Sequence, residues 1–167
     1  SVQESMQKLS QNDSFDSYKI CSTKYQAEIE FSSVLNEKCL VDILDNDNPW
    51  FYQSNPNDQS PCITIYFKDG PHSIDNYTIK MSKVPIPLLN SKKRTMEGLA
   101  KGKKKGSKTE WKKVDSVFLP KAPKENESIT RNSLTNANVT IIKITTKDKK
   151  LSLHSINFEC HPQLKSV

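Results

Sequence analysis

The stretch Cys62-Ile63-Thr64-Ile65-Tyr66-Phe67-Lys68-Asp69-Gly70-Pro71-His72-Ser73-Ile74-Asp75-Asn76-Tyr77-Thr78-Ile79-Lys80-Met81 decides the fold. Apolar residues alternate with polar ones on either side of a central break, and a period of two places every second side chain on the same face of a β-strand. The break, Lys68 to Pro71, has the Asp-Gly-Pro chemistry of a turn. The same alternation recurs at Ala27 to Phe31, Trp111 to Phe118, Val139 to Ile144 and Leu151 to Phe158. Further turn signals stand at Asn55-Pro56-Asn57-Asp58 and Lys147-Asp148-Lys149-Lys150. Six or more short strands joined by polar turns predict an all-β protein, an antiparallel sandwich or barrel whose first and last strands pair or neighbour each other. Helix is expected only over Val2 to Leu9 and Val34 to Leu44.

The chain has 167 residues, the length of one domain with one core, which excludes a large multidomain enzyme. Hydrophobic residues make up 34%, but six Phe, five Tyr and two Trp are enough for a modest core beneath polar loops. No apolar run is long enough to span a bilayer as a helix. Of four glycines, three (Gly98, Gly102, Gly106) fall in one stretch and Gly70 stands alone, so the phosphate-cradling loops of nucleotide enzymes are excluded.

The net charge of +6 is unevenly spread. From Lys92 to Lys113 ten Lys or Arg face two acids, a local +8 that leaves −2 for the remainder. With three glycines and few apolar residues between Met96 and Trp111, this segment is expected to be a long mobile basic loop inserted at about 92–110. Residues 1–19 form an N-terminal extension holding the first short helix, 20–162 the sandwich, and 163–167 a C-terminal tail.

The richest short stretch for chemistry is Leu44-Asp45-Asn46-Asp47-Asn48-Pro49-Trp50-Phe51-Tyr52-Gln53-Ser54. Acids and amides at alternate positions offer oxygens to a hard cation such as Ca²⁺, and the aromatics beside them offer a stacking surface. It is not an EF-hand, since Trp50 stands where that loop needs Gly and Pro56 where it needs Glu. The competing reading is an Asx-rich turn leading into a strand. Trp50, Phe51 and Asn48 are the candidate ligand-binding residues of this loop, with Lys103, Lys104 and Lys105 on the basic segment.

The cysteines and histidines show no zinc-ligand spacing: the only close pair, Cys160 and His161, is adjacent. Cys39 and Cys62, beside Leu40 and Ile63, read as small buried hydrophobes. Cys21 precedes the first alternating strand and Cys160 follows the last. Either they bridge the two ends of the sandwich, which implies an oxidising compartment, or they are two free thiols. Four N-x-S/T sequons, at Asn12, Asn76, Asn126 and Asn138, tilt the compartment slightly toward secretion.

Taken in order, these segments resemble the discoidin, or coagulation-factor type C, branch of the galactose-binding-like β-sandwiches. The family's early Ser-Ser matches Ser32-Ser33, and its Leu-Asp-Gly-Asp turn leading to Trp and Ser looks like Leu44-Asp45-Asn46-Asp47 leading to Tyr52 and Ser54. Strands like Ile63 to Phe67 and Ile74 to Ile79 follow. Next comes a Gly-Ser-x-x-x-Trp segment similar to Gly106-Ser107-Lys108-Thr109-Glu110-Trp111, then a last strand like Ile156-Asn157-Phe158-Glu159. The resemblance runs from about residue 20 to 160. It departs at Asn46, which replaces the turn glycine, and at Tyr52, which replaces a tryptophan.

The resemblance implies a jelly-roll sandwich with a basic insertion, and binding rather than turnover. Loops at one end of the sandwich would hold a carbohydrate or a protein partner, with Trp50 and Phe51 as the anchor. It also implies a structural Ca²⁺ on Asp45, Asp47 and Glu159, and in the family's extracellular members cysteines sit where Cys21 and Cys160 do. The alternative function is nonspecific nucleic-acid or polyanion binding through Lys92 to Lys113, steeply dependent on salt. Catalysis is not expected, because nothing places an activated nucleophile or base beside the paired acids.

Overall fold

The computed structural model describes residues 17–81, 94–105, 108–119, 128–131, 137–147 and 149–162. It is an antiparallel β-sandwich. One sheet has six strands in the order β1 (Tyr18–Cys21), β2 (Glu28–Phe31), β4 (Cys62–Tyr66), β10 (Ile141–Thr145), β6 (Arg94–Lys105) and β7 (Lys108–Leu119). The opposing sheet is built on β5 (His72–Lys80), which pairs with β12 (Ser155–Pro162), β8 (Ser128–Arg131) and β9 (Ala137–Val139). A short ladder of β3 (Tyr52–Gln53) with β11 (Ser152–Leu153) forms a separate two-stranded sheet.

The alternation read from the sequence is the alternation of burial. Ile63 and Ile65 of β4 are fully buried while Cys62, Thr64 and Tyr66 are not, and Ile29 with Phe31 does the same on β2. Each such isoleucine contributes roughly 1.5–3 kcal/mol by leaving water. Their faces meet Ile74, Tyr77, Ile79, Ile156 and Phe158 of the other sheet in one core.

Strand β5 keeps its inward face despite a break in phase: Ile74 and Tyr77 are three apart, yet both are buried. Glu159 pairs with Asn76 and Cys160 with Ile74, so the register skips Asp75. A one-residue slip flips all later side chains to the opposite face, and the irregularity here brings both residues into the core.

Three expectations are corrected. The basic segment is not a loop across its described residues. Arg94–Lys105 and Lys108–Leu119 pair as a ribbon, and Ala100 to Gly102 pairs with Ile141 to Lys143 of β10. Antiparallel pairing satisfies the backbone, and lysines are well suited to strands at a sheet edge, where their charge discourages further pairing. A helix over Val34 to Leu44 shrinks to the single 3-10 turn Glu37–Cys39, capped by the Asn36 side chain, which accepts from Lys38 N. Around that turn the backbone bonds of Leu35, Asp45 and Ile43 go to Gln53, Asp42 and Ile156, so the chain has no use for a helical ladder. The first and last alternating strands are neighbours without pairing: β2 and β12 lie in different sheets, and Tyr25, just before β2, donates its hydroxyl to Phe158 O at 2.7 Å. Finally, Cys21 is an exposed free thiol, so the candidate bridge to Cys160 is not made. Cys21 is registered opposite Glu28 at the edge of one sheet and Cys160 opposite Ile74 in the other. The side chain of Cys160 itself lies outside the described residues, as do the expected helix at Val2 to Leu9 and the tail 163–167.

Candidate ligand-binding site

The site is built on the chain between the 3-10 turn and β3, where short polar side chains close successive turns on the backbone. Asp42 Oδ1 accepts from Leu44 N at 3.0 Å, and Asp45 Oδ1 from Asp47 N at 2.9 Å. Asn48 does the most. Its Oδ1 accepts from Trp50 N at 3.0 Å, and its Nδ2 donates to Asp45 O at 3.1 Å and to His154 O at 2.8 Å. Local side-chain to backbone bonding of this kind is why Asn and Asp favour turns over helices. The Asx-turn reading of this stretch is therefore the one the structure adopts.

The two loop aromatics part company. Phe51 is buried, at 6% exposure, while Trp50 is 40% exposed and stacks on it at 4.9 Å between centroids. The Lys38 ammonium lies 6.0 Å from the Trp50 ring. Trp50 thus stands on a fixed floor with much of its indole open to solvent. On one side of it lies a cleft of about 400 Å³ lined by Asn46, Asp47, Phe51, Lys80 and His154. On the other side is a more apolar groove of about 580 Å³, lined by Ile20, Leu40, Val41 and Pro49.

His154 joins the loop to the sheet. Its backbone N–H donates to Lys80 O, its Nε2 lies 3.1 Å from Asn48 O, and its Nδ1 lies 3.2 Å from Ser155 Oγ. A carbonyl oxygen only accepts, so the Nε2 facing Asn48 carries a proton. Ser155 Oγ in turn donates to Asn46 Oδ1 at 3.0 Å. His154 interrupts the strand between β11 and β12, and no sequence signal marked it as part of this site.

The sequence-predicted residues are not all brought together. Asn48 is buried, holds the loop's shape beneath Trp50, and lines both hollows beside it. Among the described residues no group of three His, Cys, Asp or Glu gathers as a metal site needs. Glu159 turns away from the Asp turn: its Oε2 accepts from Asn76 Nδ2 at 2.8 Å. The residues of β12 that meet the turn are Ser155 and Asn157: both donate to Asn46 Oδ1, and Asn157 also accepts from Lys24 Nζ. Lys103, Lys104 and Lys105 lie on β6, apart from this loop, and their side chains fall outside the described residues.

The Ser-Ser motif acquires a physical role through a residue that sequence reasoning passed over. Asp58 Oδ2 accepts from Ser32 Oγ at 2.6 Å and from Ser33 Oγ at 2.7 Å, tying the 55–61 turn to the end of β2. Tyr52, where the family has tryptophan, is fully buried, stacks on Phe31 at 4.5 Å and donates to Ser33 O at 2.8 Å. Burial pushes its hydroxyl well above the usual tyrosine pKa. Burial likewise raises the thiols of Cys39 and of Cys62, which is half-buried where full burial was expected.

No protein-family model and no curated protein matches the chain. Solved structures do. The C-terminal domain of a chitobiase from Bacteroides fragilis superposes with a TM-score of 0.57 at 11% identity, over 86% of this chain and 98% of that one. The Clostridium perfringens domain CpGH89CBM32-5, in complex with GalNAc-β-1,3-galactose, gives 0.53 at 13% identity, over 79% and 94%. The family 32 carbohydrate-binding module of Clostridium perfringens NanJ, in complex with galactose, gives 0.51 at 10% identity, over 84% and 98%. At such identities the likeness speaks for the fold alone. This chain has the antiparallel β-sandwich fold of these discoidin-like, galactose-binding-like domains.

Proposed function

We propose that the protein is a non-catalytic recognition module that binds carbohydrate in the cleft beside Trp50. The observation that carries the reading is the indole itself, 40% exposed on a loop otherwise pinned by hydrogen bonds. A rigid aromatic face backed by another ring suits the apolar face of a sugar, and it orders few rotamers on binding. Asn46, Asp47 and Lys80 around the cleft supply donors and acceptors of the kind hydroxyls need. Two structures of the same fold hold galactose-containing ligands, which makes galactose and N-acetylgalactosamine the first sugars to try.

The reading is of binding because, among the described residues lining the cleft, the imidazole of His154 is committed to the scaffold. His154 is buried, with both ring nitrogens engaged by Asn48 O and Ser155 Oγ. A general base needs a nitrogen within reach of the proton it takes.

The test is a calorimetric titration of the whole chain with galactose and N-acetylgalactosamine, followed by a glycan array. Single-sugar affinity is expected near the millimolar level, about −4 kcal/mol. Trp50→Ala should weaken it at least tenfold while the fold persists. Sugar binding that survives Trp50→Ala, or an array without a single glycan bound, would overturn the proposal.

A further inference from the structure

The ribbon β6–β7 is a charged surface that the Trp50 cleft does not use. Between Lys101 and Lys113 the sequence holds seven lysines against one acid, Glu110. Folding the segment into a ribbon concentrates that charge. Lys101 is registered opposite Lys112 and Lys105 opposite Lys108, and like charges directly opposite one another destabilise a β-pair. Only Ala100 to Gly102 of β6 is registered with β10, so the pairs Lys103 with Glu110, Lys104 with Thr109 and Lys105 with Lys108 extend past the neighbouring strand. Among the described residues β7 is the edge of the sheet. A ribbon with unfavourable self-energy at a sheet edge gains by meeting negative charge, and alternate positions of a strand, such as Lys101, Lys103 and Lys105, lie about 7 Å apart on one face.

We propose that the β6–β7 ribbon is a binding surface for an acidic polysaccharide, a glycan chain carrying sulfate or carboxylate groups. Nucleic acid is the other polyanion, and the observations favour it less. The segment from Lys101 to Lys113 contains no arginine, whose planar fork grips phosphate bidentately and stacks on bases. The ribbon's tryptophan, Trp111, is 39% exposed but has the Lys143 ammonium 5.1 Å from its ring centre. A ring already facing a cation is a poor stacking platform for a base. Sulfates and carboxylates spaced along a chain need only point charges, which lysines are. This surface lies on other strands than the Trp50 cleft, and the proposal stands or falls independently of what that cleft binds.

The experiment uses the whole chain and three probes of matched length: heparin, a 20-base-pair DNA duplex and neutral dextran. Affinity is read by calorimetry from 50 to 300 mM NaCl, alongside Lys103→Gln/Lys104→Gln/Lys105→Gln/Lys108→Gln and a Lys19→Gln/Lys149→Gln control. Heparin should bind at 50 mM NaCl and weaken by tenfold or more at 200 mM; dextran should not bind, and the duplex should bind more weakly than heparin at equal charge concentration. The quadruple variant should lose at least tenfold in heparin affinity, with the slope of log affinity against log salt reduced by about one unit per lysine removed, while the control stays at wild type. Circular dichroism checks that the quadruple variant is folded; if it is not, Lys104→Gln and Lys108→Gln made singly should each cost a smaller part of the affinity. Undiminished binding in the folded variants, duplex binding as tight as heparin, or no heparin binding at 50 mM NaCl would each overturn the proposal.

Discussion

Asn48→Ala removes one side chain and three hydrogen bonds: those to Asp45 O, to His154 O and from Trp50 N. A buried hydrogen bond contributes about 0.5–1.5 kcal/mol net, so three lost together cost up to about 4.5 kcal/mol. The site lies near the surface, and water can reach some of the freed groups. Asp45 O also keeps its bond from Asn48 N, at 3.2 Å. The expected loss is therefore about 2–3 kcal/mol. For a chain of this size each kcal/mol moves the melting temperature by about 2–4 °C, so calorimetry should show a drop of roughly 4–12 °C. Asn48→Asp should be at least as harmful, because a carboxylate replaces the donor that faces His154 O and sets oxygen against oxygen. In both variants the emission of Trp50 should shift as its loop loosens, read in a Trp111→Phe background. A melting temperature within about 1 °C of wild type for Asn48→Ala would refute the view that this amide holds the loop, and with it the basis for a preformed Trp50 surface.

Asp58→Ala frees the hydroxyls of Ser32 and Ser33 together and should cost about 1–3 kcal/mol in urea denaturation, against no more than about 0.5 kcal/mol for the exposed Asp47→Ala. In the native protein iodoacetamide should label Cys21 first and Cys39 only on unfolding, since Cys21 is exposed and Cys39 is buried with its thiol pKa raised by that burial; mass spectrometry of timed samples with equal labelling of both would contradict this. The Lys68 ammonium, hydrogen-bonded to Glu28 at 2.9 Å, holds that carboxyl below its ordinary range, with Lys19 adding a weaker pull. A depressed pKa contributes stability above the ordinary carboxylate range that is lost as pH falls through the folded value, and Lys68→Ala should move the Glu28 titration, followed by NMR, upward. Chelator and millimolar Ca²⁺ should leave the melting temperature unchanged within about 1 °C; a rise of several degrees in Ca²⁺ would restore a metal to the Asp turn.

What the sequence made legible is what a period of two can carry. Ile29, Phe31, Ile63, Ile65, Tyr77 and Ile79 alternate because one face of each strand is buried, and the burial pattern repeats them. Strand β6 was illegible for the complementary reason. Its pairing is backbone to backbone, with β7 on one side and three residues of β10 on the other, and lysines leave no apolar period to read. The irregularity at Asp75 was hidden as well, since Ile74 and Tyr77 fall out of phase unless a residue is skipped, and only the register with β12 shows the skip.

The Asp turn shows where resemblance outruns local pattern. Asn157 and Glu159 are two apart on β12, so strand period places them on the same face and cannot say which meets the turn. That choice belongs to how the loop docks over the strand. Ile156 N donates to Ile43 O at 2.8 Å, and this contact sets Asn157 beneath Asn46 while Glu159 falls further along, beside Asn76. The groups that meet are then amides, the Ser155 hydroxyl and an ammonium. Asn157 donates to Asn46 with one end and accepts from Lys24 with the other, while Asp45 spends an oxygen on Asp47 N. An amide donates and accepts at once where a carboxylate only accepts, so the turn is closed by the chain's own hydrogen bonds. The exposed face it leaves is Trp50, held by Asn48 and floored by Phe51.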